Sequence, residues 1–434
     1  MRHIASFPID HVDNFKAGLL QWGQQFREVS WLDSNGYRDA YSSFDALLAV
    51  EAASTLSQGP QGAFNALKSF HQQANDWLFG YLSYDLKNDV ESLGSKNFDG
   101  LEFPGLYFFR PRRIIRIRGK VAEFLYLHSD SGNILKDFNA INRLANKLVP
   151  NNTEPSGGLK IQLRIYKDEY FAKVRALQEH IRRGDIYEVN YCQEFFSGEA
   201  EIHPLKTFSN LNKRSLAPFS AYFKTGHLYL LSASPERFLK KSGSRIISQP
   251  MKGTARRSGK PKEDLELIKN LEEDPKERAE NIMIVDLVRN DLSKHAIRGS
   301  VHVEELCKVY SFRQVHQMIS TITAEVETDT SAVDILRDAF PMGSMTGAPK
   351  VSAMKLIEGF EANKRGLYSG ALGYFDPQGG FDFNVVIRSI LYNQERKYVS
   401  FCVGSAITAG SVVAAEYQEC LLKAKAMREV LENG

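Results

Sequence analysis

The amino-acid sequence predicts an α+β fold. Strand-length apolar and aromatic runs recur along the whole chain, amphipathic helical periods fall among them, and the two do not alternate as a doubly wound sheet requires. Strands are predicted over residues 77–82 and 106–109, followed by a basic run, 110–118, that reads as a solvated face at a sheet edge. The polar, turn-forming cluster 151–158 separates a strand-rich N-terminal region, 1–150, from a second region, 159–434, within one globular unit. In that second region Tyr170, Val174, Leu177 and Ile181 recur at helical spacing before Gly184 and Asp185 break the helix. Further strands are predicted at 189–196, 228–233, 370–375, 383–391 and 398–403, and helices at 264–292 and 414–431. No short-period repeat or low-complexity segment interrupts this pattern.

Composition narrows the function classes. A chain of 434 residues with 43% hydrophobic and 25% charged residues is ordinary for a soluble globular protein. Its formal charge of +3 is small against 55 basic and 52 acidic residues, and no long Lys/Arg block has interleaved aromatics. A nucleic-acid partner is therefore not expected, and a small anion suits the balance better. Cys192, Cys307, Cys402 and Cys420 are too sparse for a disulfide framework and lack zinc spacing. The N-terminus has no apolar signal region and no segment is long enough to cross a bilayer, so a cytoplasmic protein with reduced thiols and no membrane partner is expected.

Two acidic pairs are the first chemical feature. Glu277 and Glu280 lie three apart on a predicted helix, and Glu416 and Glu419 repeat that spacing near the C-terminus. Brought together, they offer hard oxygen ligands to Mg²⁺, although either pair alone also describes a solvated helix face. Glu236, in Ser234-Pro-Glu-Arg-Phe, follows an apolar strand and suits a general acid if burial raises its pKa; a surface pair with Arg237 is the plainer alternative. Lys252 stands between Pro250 and Gly253 in a predicted loop. As a nucleophile its amine must lose a proton, which calls for a pKa depressed by burial or neighbouring cations; most lysines are simply solvated. Residues 343–350, GSMTGAPK, read as the start of a helix whose N–H groups can hold an anion, with the Thr346 hydroxyl beside them. Tyr368 and Arg388 sit in or beside predicted strands, where phenol and guanidinium can grip a carboxylate or, for Arg388, form a structural ion pair. There is no P-loop and no dinucleotide fingerprint.

Taken in order, SPERF, PMKGT, ERAENIMIVDLVRND, GSMTGAPK, RGLYSGALGYF, FNVVIRS and AEYQE resemble the chorismate-utilising enzymes, and WLFGYLSYD resembles the first part of their aminating members. The resemblance implies a single large unit with two central packed antiparallel sheets and helices outside. It implies that Glu280 and Glu419 bind Mg²⁺ directly, with Glu277 and Glu416 acting directly or through water, and that Glu236 protonates the departing C4 hydroxyl of chorismate. Tyr368, Arg388 and a turn of Gly404, Ser405 and Ala406 are implied to hold substrate carboxylates, with Thr254, Thr346 and Gly347 as supporting contacts.

Lys252 separates branches of the family. Anthranilate-forming members usually read PIAGT at this position and C4-aminating members PIKGT, so the PMKGT of this chain implies amination at C4. The implied route is a covalent Lys252 adduct at C2, displaced as ammonia attacks C4, to give 4-amino-4-deoxychorismate for p-aminobenzoate and folate synthesis. Glu188 stands where water-using members carry a lysine and aminating members usually a glutamine. Gln317 stands where a histidine is usual, and Ser405-Ala406 replace two glycines. An anthranilate-forming enzyme and a silent chorismate-binding homologue are the competing readings. No glutaminase segment is recognisable, so a separate glutamine amidotransferase subunit is expected to supply ammonia and a separate pyridoxal-phosphate lyase to take the product.

Overall fold

The computed structural model describes residues 2–147, 158–313 and 315–433. Of the predicted linker, 151–158, residues 151–157 lie outside the described residues. Among the described residues twenty strands form one antiparallel hydrogen-bonded network, and its geometry follows from two long strands, Ala46–Gln58 and Leu106–Arg118, which pair along their length. One arm grows from the first of these through Glu28–Asp33, Phe219–Thr225, Leu228–Ser234, Ser389–Asn393 and Tyr398–Ile407 to Glu188–Ser197. The other grows from the second through Leu78–Leu82, Ala371–Phe375, Phe381–Val385, Arg237–Ser242 and Arg245–Gln249 to Val315–Glu325. The two sheets implied by the family resemblance are thus arms of one network. Strands from before the linker pair directly with strands from after it, at Glu28–Asp33 with Phe219–Thr225 and at Leu78–Leu82 with Ala371–Phe375.

Alternation explains why the arms face each other. Period-2 apolar positions put Leu47, Phe108, Phe223, Leu230, Leu372 and Phe383 into one buried cluster, with Phe108 and Phe383 ring centroids 6.2 Å apart and Tyr81 edge-on to Phe223 at 5.5 Å. The opposite face of the first arm carries Trp31, Tyr191 and Phe401 into a second cluster, covered by the helices Val12–Gly23, Lys167–Arg182, Pro204–Ser215 and Val413–Asn433. On the second arm, Pro261–Glu273 and Pro275–Ser293 lie against Met251–Arg256 and Val315–Glu325.

Several expected elements differ. The helix predicted over 264–292 is two helices, because Asp274 caps the second: its Oδ1 accepts the N–H of Lys276 at 2.9 Å and of Glu277 at 3.0 Å, and Pro275 takes the first helical position. The strand predicted over 383–391 breaks at Arg388, whose φ is 52°. The basic run 110–118 is not at a sheet edge. It is an inner strand, four of whose five arginines carry carboxylate partners: Arg110 with Asp76, Arg112 with Asp130, Arg113 with Asp137 and Arg116 with Glu123. All four cysteines are free and buried, and among the described residues no helix is long and apolar enough to cross a membrane.

Candidate active site

A cleft of about 700 Å³ opens where the far ends of the two arms approach each other. It brings together Glu236, Lys252, Thr254, Tyr368, Arg388, Gly404 and Ala406 with all four glutamates of the two acidic pairs. Thr346, Gly347 and Ser405 are not on its lining. The Thr346 hydroxyl turns inward to the carbonyls of Met342 and Gly343, at 3.3 and 3.2 Å. Gly347 pairs with Val189, and a Cβ there would stand 2.2 Å from the Glu188 carbonyl oxygen, which is why glycine is required. The helix that follows, Lys350–Phe360, begins away from the cleft lining; it is Ser344 and Met345, ahead of it, that reach the site.

Glu236 sits in the turn between Leu228–Ser234 and Arg237–Ser242 and is 4% exposed. The Ser344 hydroxyl donates to its Oε1 at 2.7 Å. Burial pushes the Glu236 carboxyl up to about 7, against the opposing pull of Ser344 and of the Lys252 charge. Its neighbour Arg237 points the other way and pairs with Asp39 and Asp382.

Lys252 lies in a strand, Met251–Arg256, rather than in the expected loop. The register with Val315–Glu325 shifts between Lys252 and Thr254, a bulge formed at Gly253 with φ 75°. Gln317 secures that bulge: its Nε2 donates to the Gly253 carbonyl at 2.7 Å and its Oε1 accepts from Thr254 at 3.0 Å. Lys252 donates to Glu188 Oε1 at 2.8 Å, an ion pair that joins the two arms across the cleft. Burial opposes the ammonium charge, yet Glu188 and Glu280 outweigh it and hold the Lys252 pKa above its ordinary value. This is opposite in direction to the depression expected of a free nucleophile, and the cause is Glu188, which sits 64 residues earlier in the chain. Glu188 Oε2 is buried without a hydrogen-bond partner, so acceptor capacity remains beside the ammonium.

Residues 404–406 form strand rather than the expected turn. They belong to Tyr398–Ile407 and pair with Glu188–Ser197, so Gly404 and Ala406 face the cleft while Ser405 faces away and donates to Glu416. A Cβ at Gly404 would stand 2.5 Å from both Asn190 Oδ1 and Cys192 Sγ, so the floor there is bare backbone. Tyr368 is 3% exposed, and its hydroxyl accepts from the Cys192 thiol at 3.5 Å. Among the described residues no hydrogen bond or ion pair engages the Arg388 guanidinium, which disposes of the structural ion pair; burial lowers its pKa against the nearby Tyr368 and Glu419. A half-buried guanidinium without a protein partner is prepared for an anion.

Around these groups Arg365, unmarked by the motif reading, ties three walls together. It pairs with Glu361 at 2.7 Å and donates to the carbonyls of Met345 at 2.6 Å and Asn190 at 2.7 Å. Lys276 and Ser344 are the other site residues the sequence did not single out. Ser344 lies within GSMTGAPK, and Lys276 immediately precedes Glu277, the first residue of ERAENIMIVDLVRND.

The acidic pairs come from the Pro275–Ser293 and Val413–Asn433 helices. Burial raises the Glu280 carboxyl to about 7, with Lys252 opposing, and raises Glu277; Lys423 outweighs burial at Glu419 and lowers it. Among the described residues no three carboxylate, imidazole or thiol groups converge on one point as a closed cage. Mg²⁺ does not require one, since it takes one or two carboxylates and completes its shell with water and substrate oxygens. The Glu280 Oε1 atom, buried without a hydrogen-bond partner, fits that demand.

Residues 28–429 match the family model described as chorismate binding enzyme, and the chain belongs to that family. Over 272 residues, 63% of this chain, it is 40% identical to the aminodeoxychorismate synthase component 1 of Salmonella typhimurium, and the match spans 59% of that relative's own length. It is 32% identical to the anthranilate synthase component 1 of Thermus thermophilus over 82% of this chain and 77% of the relative. The fold matches the crystal structure of anthranilate synthase component I from Streptococcus pneumoniae with a TM-score of 0.77 at 23% identity, covering 91% of this chain and 94% of that one.

Proposed function

We propose that this chain aminates chorismate at C4 to give 4-amino-4-deoxychorismate, the precursor of p-aminobenzoate. The observation that carries this reading is Lys252 in the cleft, hydrogen-bonded to a buried carboxylate and flanked by Glu236. Lys252 yields its proton to its hydrogen-bonded acceptor Glu188, against the pull that raises its pKa in the free site, and the freed amine attacks C2. Glu236, neutral below about 7, protonates the C4 hydroxyl as it leaves. Ammonia then attacks C4 and the lysine amine departs from C2. Arg388 and Tyr368 hold a substrate carboxylate, and the bare backbone at Gly404 lets the ring approach. Glu280 and Glu419 would hold Mg²⁺ directly, with Glu277 and Glu416 in direct or water-mediated contact. When bound, the metal neutralises and orients a substrate carboxylate. Ammonia comes from a separate glutamine amidotransferase subunit, and a separate pyridoxal-phosphate lyase consumes the product.

Consumption of chorismate by the purified chain with ammonium and Mg²⁺ tests this reading. Chelation of the metal should abolish turnover and added Mg²⁺ should restore it. Turnover that is indifferent to both metal and ammonium would defeat the proposal. Arg388→Lys keeps the charge but loses the planar fork, and should raise KM for chorismate about tenfold or more, the usual scale for a lost charge-assisted hydrogen bond. An unchanged KM in steady-state kinetics would remove Arg388 from substrate binding.

A further inference from the structure

One cation already stands within the carboxylate wall. Lys276 Nζ is 3.4 Å from Glu416 Oε1 and 3.7 Å from Glu280 Oε1, so a single ammonium bridges the two helices that carry the acidic pairs. Among the described residues neither of those glutamates has another ion-pair partner. The Lys276 side chain is 50% exposed, whereas those of Glu280 and Glu416 are 11% and 3% exposed. The carboxylates are therefore fixed and the lysine head is the part free to leave, on a stem long enough to carry it into solvent.

We propose that Lys276 is an internal counter-cation that a divalent metal must displace, so that this residue sets the metal affinity of the site. The inference rests on the carboxylate site proposed above. Without metal, two glutamates with little access to water need positive charge nearby; Lys276 is the ion-pair partner of both, and Lys252 adds its pull at Glu280. A divalent ion approaching Glu280 and Glu416 needs the same oxygens, and it also meets repulsion from the ammonium beside them. Lysine and metal are thus alternative occupants, and metal uptake moves the Lys276 head outward.

The test is Mn²⁺ binding to the full chain without substrate, followed by electron paramagnetic resonance of the free ion. Wild type, Lys276→Met, Lys276→Arg and Glu280→Gln are compared. Lys276→Met should bind Mn²⁺ about tenfold more tightly, the scale of a partly exposed ion pair plus one unit of repulsion removed. Lys276→Arg, which keeps the charge, should stay near wild type, and Glu280→Gln should lose affinity. Lys276→Gln repeats the charge removal with a polar side chain should the methionine variant fold poorly. If wild type binds Mn²⁺ and the neutral variants bind it equally or more weakly, the displacement idea is wrong while the metal site stands. If wild type takes up no Mn²⁺, the metal site and the inference fall together.

Discussion

Glu236→Gln should lower kcat for chorismate amination by about a hundredfold to ten-thousandfold, the usual contribution of a positioned general acid, while chorismate still binds. Glutamine keeps an acceptor for the Ser344 hydroxyl, which donates to Glu236 at 2.7 Å, so the change removes the proton and little else. The pH profile gives a second readout. Glu236 must be protonated to donate, and burial sets its pKa at about 7, so kcat/KM of the wild type should fall as pH rises through 7; the variant should lack that limb. With rising pH the stability of the wild type should fall together with its activity, whereas the variant loses activity and gains stability. Folding raises the carboxyl from 4.5 to about 7, so the native state is fully stable with respect to this group below 4.5 and loses stability as pH climbs through 7. Glutamine escapes that loss, about 3 kcal/mol at pH 8 by the linkage relation, and the variant should show a higher urea midpoint there. A variant with normal turnover, or one with a lower midpoint at pH 8, contradicts the assignment.

Lys252→Met should abolish formation of aminodeoxychorismate, because no other amine takes its place against Glu188. It should also destabilise the fold by about 3 kcal/mol, since breaking one side of a buried ion pair leaves the other charge uncompensated. The double variant Glu188→Gln with Lys252→Met separates the two effects: stability should return and activity should not. Full synthesis of the amino product by Lys252→Met would eliminate the covalent route.

These two residues also show what the sequence could and could not reveal. The acidic pairs were legible because ExxE on a helix fixes both carboxylates to one side, and the Val413–Asn433 helix matches its periodic prediction closely. Glu236 was legible because Ser-Pro-Glu after an apolar strand announces a turn. The state of Lys252 was not legible. Its pKa depends on Glu188, which only sheet closure brings to 2.8 Å, and no local pattern encodes a contact between the ends of two arms. Thr346 was misplaced for a similar reason: a Gly-Ser-Met-Thr-Gly string reads as an anion cradle, but the hydroxyl satisfies carbonyls of its own turn. The basic run at 110–118 looked exposed because its carboxylate partners lie on other segments.

Mass spectrometry and NMR of the product formed from chorismate, ammonium and Mg²⁺ address the proposed chemistry most directly, because they read the position of the new amino group. A product with the mass of aminodeoxychorismate, nitrogen at C4 and the enolpyruvyl side chain retained is the expected result. Anthranilate with released pyruvate, or isochorismate with oxygen at C2, would mean that Lys252 does not direct the nucleophile to C4.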